Sequence, residues 1–534
     1  NMNRVEEIRT LFRNIRYMEG KIRAGASAQI TVTNADGSFS ELTDKDEVEA
    51  AIIKSNERKY HQTEGGSQLL EPFFTQDIGT CGDGPKVNEI LNGTYLPPPS
   101  STDATIAFLE ACKRPDNFID ATHQSAPTRY WNQVRTWRQR KEKTTSANQH
   151  IGHFKAVMTH SSLSWLFFQR AEIPTISGYS PSRHRTCVDL MIMKKANSFQ
   201  VEKQRTLGIL DSEFNHSNRD LQHEAMQSAL RNDCIAVEQY SRPNRSCICH
   251  ALNRRLTADD RQSKRLAWAM AMSDLTGCYD RIVHNAAALV LLRLGLSHAK
   301  IHTMFKTIQR MVHRVRTAFG DSETTYGGDD FENWLFAPQG ILQGNASGPA
   351  IWTIISSLIF DILRSKGHSD RFCSAISKEL FLLVGFAYVD DCDLIQSGQD
   401  PLEVAKSMQT VVQQWGDLME VTGGALNLDP SKSYWYMVEY VWKHGKWCTS
   451  DADIGDFDLV ARNADGDYIS LTRLNCDDES EMLGLWMSPS GNNKKMINSL
   501  RLAAVNWAAK LRLGRSSQAE AWKALNTTIS RKLM

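Results

Sequence analysis

Residues 386–395 read FAYVDDCDLI, and this decamer constrains the chain more than any other stretch: two adjacent aspartates, Asp390 and Asp391, sit between two apolar runs. A carboxylate inside a hydrophobic segment is costly unless its charge is compensated, and two side by side disfavour each other's ionisation. Divalent cations are the natural compensation, because hard ions such as Mg²⁺ take oxygen ligands and need only a few from the protein. The flanks, LFLLVGFAYV before and CDLIQ after, are strand-like and end at the turn formers Ser397 and Gly398. The pair is therefore expected at a hairpin connection between two buried strands. An isolated Asp-Asp there can be a plain turn; a third carboxylate from elsewhere in the chain separates a metal site from a turn.

The segment LAWAMAMSDLTGCYDRI at 266–282 supplies one. It begins as an apolar strand ending at Asp274 and resumes as a helical pattern through Ile282, Ala286, Leu289 and Leu292. A strand-terminal aspartate beside a hairpin carrying two more makes a cluster of the kind that holds two metal ions for in-line phosphoryl transfer.

The register Asp274, Tyr279, Asp280, followed further on by YVDD, resembles the first and third palm motifs of reverse transcriptases. The likeness continues in order along the chain. Gln343-Gly344 opens the stretch ILQGNASGPAIWTIISSLIF, with Pro349 near the first turn of an apolar helix; here Ser347 is displaced and Gly348 precedes the proline. GGALNLDPSKS at 423–433, with Asn427 and Lys432, is similar to the fourth palm motif, and MLGLWMSPSG at 482–491 to the hairpin that grips a primer end. Upstream, VDLMIMKKANSFQVEKQRTLGILD at 188–211 resembles the fingers hairpin that cradles a triphosphate, with Arg205 as the best match and Lys195 or Lys203 as helper. QYSRPNRSCICHALNRRL at 239–256 resembles the segment under the template. The overall likeness is to reverse transcriptases of eukaryotic retroelements, of the kind found in algal and diatom genomes, and it runs from about residue 125 onward.

The resemblance implies an α+β fold of the right-hand polymerase type. It comprises an N-terminal extension (1–124), fingers (125–260), a palm built of an antiparallel sheet with helices (261–474) and a primer grip with helical thumb (475–534). It implies an RNA-directed DNA polymerase that extends a primer 3′-hydroxyl with dNTPs on an RNA template, the primer being DNA or RNA. Asp274 and Asp390 would bridge two Mg²⁺ ions, with Mn²⁺ as a substitute, Asp391 nearby and the Leu275 carbonyl as a further ligand. Lys432 would neutralise or protonate the leaving group. Tyr279 would stand against the sugar and exclude ribonucleotides, while Lys195, Lys203, Arg205, Gln343 and Gly344 would contact substrate. Two other classes stay open: an RNA-dependent RNA polymerase, against which Tyr279 and a YVDD turn argue, and a domesticated nucleic-acid-binding scaffold, against which the three retained carboxylates argue.

Composition sets the remaining bounds. At 534 residues the chain is too long for one compact core, and its formal net charge is only +1. Nucleic-acid contacts must then come from local patches such as RYWNQVRTWRQRKEK at 129–143 and the basic, helix-like stretch 293–316. Eleven scattered cysteines and no secretion signal point to an intracellular protein, cytoplasmic or nuclear, and CICH at 247–250 lacks zinc-ligand spacing. No apolar run is long enough to span a bilayer. ITVTNADGSFSEL reads as a hairpin, the Pro/Ser-rich stretch near 92–104 as a linker, and KKMINSLRLAAVNWAAKLRLGR as an amphipathic thumb helix. Because the chain stops at Met534 within a helical pattern, truncation is expected.

Overall fold

The computed structural model describes residues 28–34, 36–60, 73–121, 126–137, 150–193, 198–328, 339–374, 376–513 and 517–525, and they form an α+β structure. In chain order the strands begin with β1 (Ile30–Thr33), β2 (Phe39–Leu42), β3 (Thr186–Met193), β4 (Gln204–Ile209) and β5 (Ala267–Leu275). There follow β6 (Val312–Thr317), β7 (Gly320–Gly327), β8 (Asp370–Cys373), β9 (Leu380–Leu383), β10 (Gly385–Tyr388) and β11 (Asp391–Gly398). The last are β12 (Leu426–Asn427), β13 (Tyr434–Lys443), β14 (Lys446–Asp451), β15 (Val460–Arg462), β16 (Tyr468–Ser470), β17 (Thr472–Leu474), β18 (Ser480–Met482) and β19 (Leu485–Met487).

The central sheet has the order β10-β11-β5-β13-β14, with β12 added to β5 and β17 to β13. Its middle strand, AWAMAMSDL, shows why it is central. Successive side chains of a strand point to opposite faces. Ala267, Ala269 and Ala271 join the main apolar cluster on one face, and Trp268, Met270 and Met272 join a second cluster on the other. The small face admits the helix Pro401–Val421, whose Trp415 donates its indole N–H to Ser273 Oγ at 3.2 Å. The large face packs toward the helix Cys247–Lys264, whose Arg254 reaches Met272. Each large apolar side chain fully buried this way stabilises the fold by about 1.5–3 kcal/mol.

A second sheet has the order β4-β3-β6-β7. The helix Lys45–Tyr60 lies on it, with acidic Asp46 and Glu47 in its first turn and basic Arg58 and Lys59 in its last, as the helix dipole favours. It buries Val48, Ile52, Asn56 and Tyr60 at a four-residue spacing, and the Tyr60 ring stacks on His313 of β6 at 5.8 Å. One apolar cluster runs from Ile30 to Leu471, so residues 28–121 share the core that holds the central sheet.

The stretch 293–316 is not one helix. The helix His298–Gln309 ends before β6, where Val312 and Val315 favour a strand. Two of the stretch's basic residues are paired: Lys300 with Glu224 at 2.7 Å, and Arg316, on β6, with Asp321. The hairpins expected at 30–42, 188–209 and 482–487 are present, as is the helix Lys494–Leu513. Among the described residues no helix is long and apolar enough to cross a membrane. All eleven cysteines are free thiols.

Candidate active site

The two aspartates occupy the hairpin between β10 and β11. Tyr388 pairs with Asp391, leaving Val389 and Asp390 as the turn. Val389 has φ +59°, a left-handed conformation that a β-branched residue adopts only when its surroundings impose it. The constraint is visible: Trp352, buried in the helix Gly348–Ser365, donates its indole N–H to the Val389 carbonyl at 2.5 Å. The helix that begins after Gln343-Gly344 thus aims the aspartate turn.

Strand pairing then brings the third carboxylate alongside. The β11–β5 ladder ends at Cys392↔Ser273, which places Asp391 level with Asp274 on the neighbouring strand. On its other side Asp274 pairs with Asn427 of β12, whose side-chain amide donates to Asp274 Oδ2 at 2.9 Å. The Asp274 backbone N–H donates to Ser433 Oγ at 3.1 Å, and Ser433 in turn donates to the Asn427 carbonyl. Lys432 places its ammonium 3.5 Å from Asp274 Oδ2 while staying half exposed. Leu275, next along β5, pairs with Leu426 and buries its side chain.

The electrostatics are those of an uncompensated cluster. Burial, then Asp390 and Asp274, push the Asp391 carboxyl up to about 7. Burial and Asp274 also raise Asp390, against the opposing pull of Arg205 and Lys432. Two neighbouring carboxylates held above their ordinary range mean that the protein supplies too little positive charge for them.

Of the other expected residues, Tyr279 follows Asp274 closely, whereas Gln343, Lys203 and Arg205 line a cleft whose walls do not include the three aspartates. Tyr279 is half-buried in the short helix after Asp274, its hydroxyl raised by burial and by Cys278 and Asp390. Its ring lies against Gly348, and its carbonyl accepts the Ile341 N–H at 2.7 Å. Gln343 accepts the Gly208 N–H at 2.7 Å, docking the Gln-Gly turn on the end of β4; a side chain at Gly344, where φ is +116°, would collide with the Gly208 carbonyl. A cleft of about 1200 Å³ runs past Gln343, Gly277, Lys203 and Arg205, and its far wall carries Lys54 and Arg58 of the helix Lys45–Tyr60. Lys195 lies outside the described residues. The sequence reading missed the basic wall from the N-terminal helix, the Trp352 anchor and Ser433.

Among the described residues, three other sets of side chains bring ligand atoms within 4.8 Å of one another and could hold a metal ion: Cys81, Asp83, His302; Cys187, Asp189, His313; and His184, Asp211, Glu213. None includes Asp274, Asp390 or Asp391, whose like charges favour separation. The three sets already have internal partners. Asp83 faces Lys306, Asp189 accepts from His313, Tyr326 and Cys187, and Glu213 pairs with Arg170 and Arg183. The oxygen-only set at the aspartate turn, with Lys432 and Arg205 against three carboxylates, has the donor chemistry that suits a hard divalent cation. No protein-family model matches the chain, and no curated protein matches it at a significant level.

Proposed function

We propose that this chain is an RNA-directed DNA polymerase of the reverse transcriptase class, with a right-hand arrangement in which the central sheet serves as palm and the β3–β4 hairpin belongs to the fingers. The observation that carries the reading is the placement of Asp274 level with Asp391 at the end of the central sheet, beside the Asp390 turn, with the raised carboxylates facing too little protein cation.

Asp274, Asp390 and Asp391 would hold two Mg²⁺ ions, which when bound supply activation of a primer 3′-hydroxyl and neutralisation of the triphosphate and leaving pyrophosphate. The remaining roles fall to side chains. Asn427 and Ser433 orient Asp274. Lys432 stands where an ammonium can stabilise or protonate a leaving oxygen. Arg205 and Lys203, exposed on the cleft, offer charge-assisted hydrogen bonds to phosphate oxygens. Tyr279, braced against the start of the helix Gly348–Ser365, presents a ring that excludes a 2′-hydroxyl.

Primer extension on RNA and on DNA templates, with each nucleotide class, tests the reading. The expected result is Mg²⁺-dependent addition of deoxyribonucleotides on RNA, with Tyr279→Val shifting selectivity toward ribonucleotides by about 1–3 kcal/mol. Equal use of ribonucleotides by the wild-type chain would favour an RNA polymerase. Binding of RNA without extension under any of these conditions would favour a scaffold.

A further inference from the structure

The β18–β19 hairpin is a two-stranded sheet of its own, laddered to neither large sheet. Its turn residues Leu483 and Gly484 have φ +51° and +81°, the pair of left-handed conformations that a tight two-residue hairpin requires. The helix Lys494–Leu513 hangs from it, because the Glu479 carboxylate accepts the backbone N–H of Lys495 at 2.7 Å. Side chains must therefore fix the position of the hairpin, and with it the helix.

A polar side chain of the helix Cys247–Lys264 touches both the hairpin and the aspartate strand. Arg254, only 4% exposed on the helix Cys247–Lys264, donates to Ser480 Oγ at 3.4 Å and lies 3.4 Å from Met482 Sδ, both in β18. The same guanidinium lies 3.7 Å from Met272 Sδ of β5 and 3.9 Å from Asp393 Oδ2 of β11. Asp393 is fully buried and also bonded to His250 Nε2 at 3.0 Å. It points to the same face of β11 as Asp391, two residues earlier. A buried arginine needs a counter-charge and uses for its donors, and a planar fork can serve two elements at once where a lysine serves one.

We infer that Arg254 is a positioning residue that locks the β18–β19 hairpin to β11, holding a polynucleotide 3′ end that rests on the hairpin in register with Asp390 and Asp391. The inference rests on the polymerase reading above.

Two variants of the full chain test it. Arg254→Lys keeps a cation near Asp393 without the fork, and Arg254→Met with Asp393→Asn removes the pair without stranding a charge. Each is expected to lower kcat for single-nucleotide addition about tenfold or more, as displacement of a reacting group does, while KM for the nucleotide stays within about twofold. Amide hydrogen exchange should rise across 480–487 in both, and in Arg254→Lys it should stay unchanged across 386–395. Variants that melt like wild type yet keep its kcat and its exchange pattern would overturn the inference. Should neither variant fold, Ser480→Ala decides by the same two readouts. A wild-type chain that extends no primer would instead overturn the polymerase reading, and the exchange readout would still judge the lock.

Discussion

Asp390 and Asp391 at the end of the central sheet, and Asp189 and Glu213 in and beside the four-stranded sheet, are the same chemical groups in opposite circumstances. Asp189 is completely buried, yet His313 and the hydroxyl of Tyr326 outweigh the burial and hold its carboxyl below the usual range. Glu213 is likewise buried and lowered, by His184, Arg170 and Arg183. Asp390 and Asp391 are less buried but raised. Burial alone does not set the direction of the shift, and Asp211, Asp220 and Asp361 are raised as well, Asp220 to about 6; what sets the turn apart is two raised carboxyls side by side.

The largest effect that would break this comparison is at the turn. Asp390→Asn should lower primer extension by more than about a thousandfold, since several kcal/mol of charge stabilisation depend on that carboxylate, while affinity for primer–template stays within a few-fold. Full activity in that variant would place the chemistry elsewhere. The converse substitution is Glu213→Ala, which leaves Arg170 and Arg183 facing an apolar gap and should cost about 3–5 kcal/mol in denaturant unfolding. A loss below 1 kcal/mol would show that this carboxylate, too, is not structurally committed.

A smaller effect is expected at the cleft. Arg205→Ala removes an exposed guanidinium whose charge already lowers Asp390, and should cost about 1.5–3 kcal/mol in kcat/KM for nucleotide. Unchanged kinetics would shift the phosphate contact to Lys203. A further effect is on stability against pH in the absence of divalent cations. Asp391 is held at about 7 against an ordinary 3.8, so between these values the folded chain binds more protons than the unfolded one. The contribution is fully present below pH 4 and is lost as pH rises to about 7. Melting in EDTA should therefore decline across that window, Asp391→Asn should flatten the decline, and Mg²⁺ should restore stability at the upper end. A melting curve with no slope there would show that the carboxylates are already compensated.

The aspartate turn was legible because its signal is local: alternating apolar residues, two acids and a turn lie within ten residues. Asp274 was legible for the same reason at a strand end. What depended on distant pairing was not. Trp352 is 37 residues from Val389, and nothing in an apolar helix announces that its one indole N–H will brace a strained turn. Ser433 reads as a plain loop serine until β12 places Asn427 beside Asp274. The stretch 293–316 misled because its apolar spacing continues through Gln309, and the change to strand period comes only with Val312 and Val315. The basic wall of the cleft was missed because Lys54 and Arg58 lie on a helix whose charge pattern is that of any solvated face.

The central sheet also dictates an order of events during synthesis. The strand at its middle, β5, emerges before its partners β11 and β13, which begin more than a hundred residues later. At about 5–20 residues per second a ribosome leaves the edges of β5 without final neighbours for roughly 6–30 seconds, and the apolar surface of the helix Lys45–Tyr60 without β6 and β7 for longer still. The nascent protein must spend that interval as an open, adhesive chain, and its yield in a cell should respond more to holding chaperones and translation speed than to any single side chain in the finished core.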